Sequence, residues 1–294
     1  MTQTIAAREI HGVTVIVPAF NEQQSIRTVV DELTAICSKL PIDSEIIVVD
    51  DGSTDTTSEA LRDTSAHVIR HPENRGYGAS IKTGVLASHY PWILITDADG
   101  TYPNTEIPTL LEGIDHYDMV VGARVGEDVN IPLVRRPAKW ILNKLANYMT
   151  STRIPDLNSG FRLFRKSSFL RFVSLYPSGF SLTTTITLAL LCNHHPVKYV
   201  PINYFKRAGT SKIRPIRDTY NFFLLVIRTI MYFDPLRVFM PAALFLLAFG
   251  FVFTCWEIYR FMNITTAATI VLFAGFQTAI LGLLADLIVK GRRS

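Results

Sequence analysis

Cysteine is scarce. Cys37, Cys192 and Cys255 are the only three in 294 residues, far apart and each in an apolar run. That spacing excludes a disulfide framework and a cysteine-based metal site; the three read as small core hydrophobes in a reducing compartment. Charge is also thin, at 18% of residues, and a formal net charge of +4 is too small to argue for nucleic acid, for which no binding signature is present. Met1 to Gly12 contains no apolar run, so no signal peptide is expected. The full G-x-G-x-x-G fingerprint is missing, which argues against a nicotinamide dinucleotide enzyme, and neither an internal repeat nor a low-complexity stretch is found. What the chain has in excess is apolar residues, 48%, concentrated toward the C-terminus.

Trp92-Ile93-Leu94-Ile95 is a short β-favouring run between Pro91 and the acidic turn Asp97-Ala98-Asp99-Gly100. It is too short for a helix and reads as a buried strand. Alternate residues of an extended chain point the same way, so Asp97 and Asp99 can face one point beyond the strand's carboxyl end, where open α/β sheets place ligands. Two hard oxygen donors there suit Mg²⁺ or Mn²⁺ carrying a diphosphate. A pair of solvated turn carboxylates around Gly100 would produce the same motif.

The flanking sequence supplies the sheet. Val13 to Val17 is a β-branched strand stopped by Pro18, and Asn21 is placed to cap the helix that follows, with apolar residues at Ile26, Val29, Val30, Leu33, Ile36, Cys37 and Leu40. Glu45 to Val49 is a second strand, ending in Asp50-Asp51-Gly52-Ser53 ahead of another capped helix. This alternation predicts an α/β fold with a mostly parallel sheet flanked by helices. Asp50 and Asp51 at a strand end can accept from a ribose hydroxyl or a base N–H, or can form an Asx-type turn that reverses the chain. His67 to Arg70 is a third strand. Asn74-Arg75-Gly76-Tyr77-Gly78 then opens a helix and carries a fragment of a phosphate-cradling loop. Asn104 to His116 reads as a helix and Asp118 to Arg124 as a strand ending in a cation.

From Arg124 the chain turns basic. Arg135, Arg136 and Lys139 open an amphipathic helix, where cations oppose the macrodipole unless an anion compensates; a solvated basic face is the alternative. Asp156, in the loop Ile154 to Arg162, is a candidate site carboxylate, with Arg162 pairing either with it or with phosphate. Ser181 to Cys192 follows a helical register with Ser181 as cap, and His194-His195 beyond it read as surface histidines rather than ligands. A strand over Val197 to Phe205 delivers Lys206, Arg207, Gly209, Ser211, Lys212 and Arg214 into one basic loop.

Tyr220 to Phe233, apolar and aromatic but broken by Arg228, resembles an interfacial amphipathic helix. Val238 to Trp256 and Ile264 to Ala285 carry no charge and are each long enough to cross about 30 Å of hydrocarbon, with Glu257 to Asn263 as the hairpin between them. Lys and Arg crowd the flank before the first span and the tail after the second, whereas the hairpin has only Arg260. An integral membrane protein with its main domain and both termini cytoplasmic is therefore expected.

In order and spacing, P-A-F-N-E, D-D-G-S, D-A-D-G, G-A-R, S-G-F-R and the R-x-G-x-S-K of Arg207 to Lys212 resemble glycosyltransferase family 2 with a GT-A (Rossmann-like) fold. The likeness runs over residues 13 to 215 and is nearest to the polyprenyl-phosphate glycosyltransferases, the group of dolichyl-phosphate mannose synthase. It implies a GT-A domain over residues 1–213, an interfacial helix over 214–235 and a two-helix transmembrane hairpin with a basic tail over 236–294. By resemblance, Pro18, Ala19, Glu22, Asp50 and Asp51 contact the nucleotide, and Asp97 and Asp99 hold Mg²⁺ or Mn²⁺ and the donor diphosphate. Arg207, Ser211 and Lys212 close over the donor; Arg124, Arg135 and Lys139, with Arg136 beside them, meet the acceptor phosphate. The mannose synthases carry a glutamine ligand where this chain has Thr101.

The implied reaction is inverting transfer of one hexose from a nucleotide-diphosphate sugar, of the GDP-mannose or UDP-glucose type, to a polyprenyl phosphate. A phosphate monoester is largely dianionic at pH 7 and needs no general base. If the acceptor is instead a lipid or sugar hydroxyl, a base is required, and Asp156 is the candidate. A non-catalytic membrane scaffold is the remaining alternative.

Overall fold

The computed structural model describes residues 12–124, 144, 146–148, 150–205, 224, 227–228, 231–263 and 265–291. The chain divides into two compact units, residues 1–222 and 223–294.

The first unit is built on a seven-stranded sheet. Its strands are β1 (Val13–Ala19), β2 (Ser44–Asp50), β3 (His67–Arg70), β4 (Trp92–Ile95), β5 (Met119–Arg124), β6 (Arg162–Arg165) and β7 (Val197–Ile202), in the order β3-β2-β1-β4-β6-β5-β7. All pairings are parallel except those of β6, which runs antiparallel between β4 and β5. Every residue of β1 and of β4 is buried, as strands covered on both faces require.

The helices of this unit include α1 (Ile26–Cys37), α2 (Thr57–Ala60), α3 (Tyr77–Ala87), α4 (Ile107–Leu111), α5 (Lys166–Arg171) and α6 (Leu182–Cys192). Helix α1 buries Ile26, Val29, Val30, Leu33 and Cys37, the stripe expected from their spacing. Helix α3 lies close on β1: a Cβ on Gly84 would stand 2.7 Å from Ile16 Cγ2. The helix expected over 104–116 is shorter, a 3₁₀ turn at Asn104–Glu106 followed by α4. Nor does Asn21 cap α1, which starts five residues later; Asn21 is left-handed (φ 56°) and its side chain reaches across to the loop after β2. In α6 the threonines are tolerated in a buried helix because their hydroxyls find carbonyls one turn back, Thr185 on Ser181 O and Thr187 on Thr183 O, both at 2.9 Å.

Arg162, the first residue of β6, pairs neither with Asp156 nor with a surface phosphate site. It is fully buried, and its guanidinium donates to Ser159 O, to Thr183 O at 2.7 Å and to Thr187 Oγ1 at 3.0 Å. It binds the turn before β6 to α6. His195 is half-buried and engaged, its Nδ1 2.8 Å from Asp118 Oδ2, while Arg165 Nε donates to Asp118 Oδ1 at 3.0 Å.

The second unit contains α7 (Leu236–Phe261) and α8 (Thr266–Gly291), which among the described residues are the helices long and apolar enough to cross a membrane. Each has 26 residues, about 39 Å of helix at 1.5 Å per residue. The hairpin is tighter than expected. Helix α7 continues through Glu257 to Phe261, and Glu257 is buried with its carboxylate accepting from Thr265 N at 3.0 Å and from the Thr265 hydroxyl. It thereby satisfies an orphan N–H at the start of α8. The residues buried on α7 are Ala243, Gly250 and Glu257, and on α8 Ala268, Gly275 and Gly282. Their heptad spacing is that of a left-handed helix pair.

Replacing Arg162 by methionine keeps much of the side-chain volume but removes the buried donors to Ser159 O, Thr183 O and Thr187 Oγ1, of which the last two retain their bond to each other. A loss of about 3 kcal/mol in stability is expected, read as a lowered denaturant midpoint in detergent.

Candidate active site

The carboxyl ends of β1 and β2 come level at one edge of the sheet, with Ala19 opposite Asp50, and β4 ends on the same side three residues earlier, with Ile16 opposite Ile95. The loops that leave this edge are stitched together. Asn21 N donates to Ser53 Oγ at 3.0 Å, Asn21 Oδ1 accepts from Thr54 N at 2.9 Å, and Glu22 N donates to Thr57 Oγ1 at 2.9 Å. Pro18, Ala19, Glu22, Asp50 and Asp51 therefore share one edge.

Asp50 and Asp51 face inward and are held by protein donors. Asp50 Oδ1 accepts from Ser53 N at 2.9 Å, its Oδ2 accepts from the Ser58 hydroxyl, and Arg70 Nε lies 3.6 Å away. Asp51 Oδ1 meets His71 Nδ1 at 2.7 Å and Arg75 N at 2.9 Å, and Oδ2 accepts from Gly76 N at 2.8 Å. Burial pushes the Asp51 carboxyl up, but the bonds from His71, Arg75 and Gly76 outweigh it and hold the group below its ordinary value.

The glycine-rich segment is also committed to protein. Gly78 N and Ala79 N donate to Ser178 O at 2.7 and 3.1 Å, so a carbonyl occupies the start of α3. A Cβ on Gly78 would stand 2.3 Å from Pro177 O. The fragment of a phosphate-cradling loop is thus no cradle: the backbone N–H groups of Arg75, Gly76 and Gly78 are taken up by Asp51 and Ser178.

Asp97 and Asp99 follow β4 by a few residues, both partly exposed. Tyr77 Oη donates to Asp97 Oδ1 at 3.1 Å. Burial and the Asp97 charge beside it push the Tyr77 phenol well up, so it remains a donor. Asp99 Oδ1 accepts from Thr101 N at 3.1 Å and Thr101 Oγ1 at 2.7 Å, around Gly100 at φ 69°. Thr101 thus orients Asp99. The turn before β6 closes over this pair: Gly160 N donates to Tyr102 Oη at 2.7 Å, and a Cβ on Gly160 would stand 3.0 and 3.2 Å from the two Asp97 oxygens. Glycine at 160 is what lets the backbone come this close to Asp97 and to the Tyr77 hydroxyl.

Among the described residues no three His, Cys, Asp or Glu side chains gather as a metal cage. Two hard carboxylates at a sheet edge, both partly exposed and each with an oxygen oriented by a neighbouring donor, fit Mg²⁺ or Mn²⁺ that retains waters and takes further oxygens from a diphosphate.

Arg124 and Asp156 are brought together. Arg124 Nε donates to Asp156 Oδ2 at 2.7 Å and Nη2 to Oδ1 at 2.9 Å, with Arg124 N at 3.2 Å from Oδ2. The guanidinium also stands over Tyr204, 5.2 Å from its ring centroid, and Tyr204 packs edge-on against Tyr102. Although burial raises the Asp156 carboxyl, Arg124 pulls it below its ordinary value, which makes it a weak proton acceptor. Arg135, Arg136, Lys139, Arg207, Ser211 and Lys212 lie outside the described residues. Tyr77 and Tyr102 carry no role in the sequence reading, although Tyr77 lies between Gly76 and Gly78, and Gly160 enters it only as part of the S-G-F-R motif.

Comparison with known proteins agrees with this geometry. The model of a glycosyl transferase family 2 domain matches residues 14–172, and that of a GtrB C-terminal hairpin matches residues 234–290. A dolichyl-phosphate hexose transferase of Haloferax volcanii is 31% identical over 203 residues, covering 68% of this chain and 86% of the relative. The glycosyltransferase AglJ of the same organism is 27% identical over 298 residues, covering 96% and 95%. Among solved structures, glucosyl-3-phosphoglycerate synthase from Mycobacterium tuberculosis, in complex with Mn²⁺, UDP and phosphoglyceric acid, superposes with a TM-score of 0.61 at 17% identity, covering 75% of this chain and 78% of that one. A family match across more than half of the chain, on a sheet whose strand ends carry the aspartates in the expected places, makes this protein a member of glycosyl transferase family 2.

Proposed function

We propose that the protein transfers a single hexose, with inversion, from a nucleotide-diphosphate sugar of the GDP-mannose or UDP-glucose type to a polyprenyl phosphate at the cytoplasmic face of a membrane. The observation that carries this reading is the partly exposed Asp97–Asp99 turn beyond β4, in a chain that also contains a hairpin of membrane-spanning length. The hexose transferase from Haloferax volcanii, whose name specifies a dolichyl phosphate, supports the acceptor.

Asp97 and Asp99 hold the divalent cation and, through it, the donor diphosphate. When bound, the cation supplies Lewis-acid stabilisation of the departing diphosphate. Pro18, Ala19 and Glu22 line the nucleotide side, with Asp50 and Asp51 fixing the loops beneath it. Arg207, Ser211 and Lys212 cover the donor. Arg124, Arg135, Arg136 and Lys139 place the acceptor phosphate behind the anomeric carbon. A phosphate oxygen forms the new bond to that carbon as the bond to the diphosphate breaks, and the electron pair leaves with the nucleoside diphosphate. The acceptor arrives largely deprotonated, so no side chain has to take a proton.

The pairing of Asp156 with Arg124 favours this over a hydroxyl acceptor. A carboxylate committed to a bidentate arginine, with its pKa pushed down, suits positioning of Arg124 better than proton abstraction. Charge placement around the two long helices supports a cytoplasmic domain and cytoplasmic termini.

Purified protein given radiolabelled nucleotide sugar and polyprenyl phosphate is expected to form a glycolipid labile to mild acid, and to stop when stripped with a chelator until Mg²⁺ or Mn²⁺ is restored. An acid-stable product made from diacylglycerol would overturn the phosphate acceptor. Asp156→Asn is expected to raise the acceptor KM more than it lowers kcat. A base role would instead drop kcat by on the order of 10²–10⁴-fold. In a cysteine-free background, Met262→Cys is expected to react with an impermeant maleimide on intact cells, and Gly291→Cys only after lysis; the reverse pattern would invert the topology.

A further inference from the structure

Tyr77 is held from several directions at once. Its hydroxyl donates to Asp97 Oδ1 at 3.1 Å, and its ring stacks on Phe180 with centroids 5.2 Å apart and planes 22° from parallel. Phe180 is 73% exposed, so the stack adds little buried area; what it fixes is the plane of the tyrosine. The backbone on both sides is pinned. Gly76 N donates to Asp51 Oδ2, and Gly78 N and Ala79 N donate to Ser178 O. Close approach is possible only because both flanking residues lack a Cβ, which would stand 2.5 Å from Ser178 O at Gly76 and 2.3 Å from Pro177 O at Gly78. Between those glycines a single residue carries a side chain, and its tip reaches Asp97.

We infer that Tyr77 is a positioning residue of Asp97: its hydroxyl helps to set the direction in which the carboxylate offers its oxygens to cation and donor diphosphate, and the Pro177–Phe180 loop seated on the start of α3 holds the tyrosine to that task. The inference rests on the metal-binding reading of Asp97 given above. An unsupported carboxylate rotates about its terminal torsion and presents its oxygens in many directions. A fixed donor on one oxygen selects among them, which is how supporting hydrogen bonds tune metal sites. Asp51 joins the same assembly through Gly76, so the inward-facing acidic pair helps to hold the tyrosine that orients the outer one.

The test is a Mn²⁺ titration of the full-length, detergent-solubilised protein, followed by electron paramagnetic resonance of the free ion. It compares wild type with Tyr77→Phe, Phe180→Ala and Asp97→Asn. Tyr77→Phe keeps the ring and its stack and removes only the hydroxyl. It is expected to weaken Mn²⁺ binding about ten-fold and to lower kcat with it, at an unchanged melting temperature. Phe180→Ala, which leaves Tyr77 and Asp97 chemically intact, is expected to weaken Mn²⁺ binding in the same direction by less. Wild-type affinity in Tyr77→Phe, alongside loss of binding in Asp97→Asn, overturns the inference and leaves the metal assignment standing. If Tyr77→Phe is poorly folded, Phe180→Ala decides, and wild-type affinity there overturns the inference. Absence of any Mn²⁺ binding that Asp97→Asn removes overturns the metal assignment and this inference together.

Discussion

A single carboxylate, that of Asp51, anchors the loops on which the site depends. It is 3% exposed, and it accepts from an imidazole and two backbone N–H groups belonging to the segment that follows β3. Taking a charge out of water is costly unless donors replace the lost solvent, and here three of them do. The exchange fixes the path from His71 to Gly76, including the left-handed glycine at 76 (φ 98°), and so decides where α3 begins. The residue at that beginning is the tyrosine bonded to Asp97.

The two acidic pairs at the sheet edge therefore divide their work. Asp50 and Asp51 turn inward, and their charge is met by protein. Asp97 and Asp99 stand farther out on their loop, oriented by Tyr77 and Thr101, with Gly160 packed close to Asp97. A third carboxylate, Asp156, is coupled to a guanidinium that also lies over an aromatic ring. Neighbouring carboxylates repel unless each finds its own compensation, and the environments of these five differ accordingly.

Periodicity made most of the architecture legible. The buried strands at Val13 and Trp92 and the apolar stripe of α1 follow from local pattern, and the Asp97–Asp99 spacing pointed to the strand end where the structure has it. Long-range occupancy was not legible. Gly76 and Gly78 resemble a loop that receives phosphate, but Gly76 N donates to the Asp51 carboxylate and Gly78 N to a carbonyl about a hundred residues downstream. Arg162 resembles a phosphate contact because arginine is seldom buried alone; nothing local announces the two carbonyls and the threonine hydroxyl that satisfy it. The reversal of β6 was equally hidden, since a four-residue strand with only Leu163 and Phe164 apolar fits either direction and only its neighbours choose. Asn21 and Glu257 carried cap and turn signals that tertiary contacts redirected to other partners.

The seam between α7 and α8 is made chiefly of what its residues lack. A Cβ on Gly250 would meet Leu272 at 2.9 Å, one on Gly275 would meet Leu247 at 2.8 Å, and one on Gly282 would meet Phe239 at 2.6 Å. In lipid, no hydrophobic gain drives two such helices together, and close van der Waals approach must do it. A leucine seam can drift either way in volume and repack. This one already sits at the bottom of the size scale at its glycines, so every substitution there adds bulk, and its sequence freedom runs only toward separation of the helices.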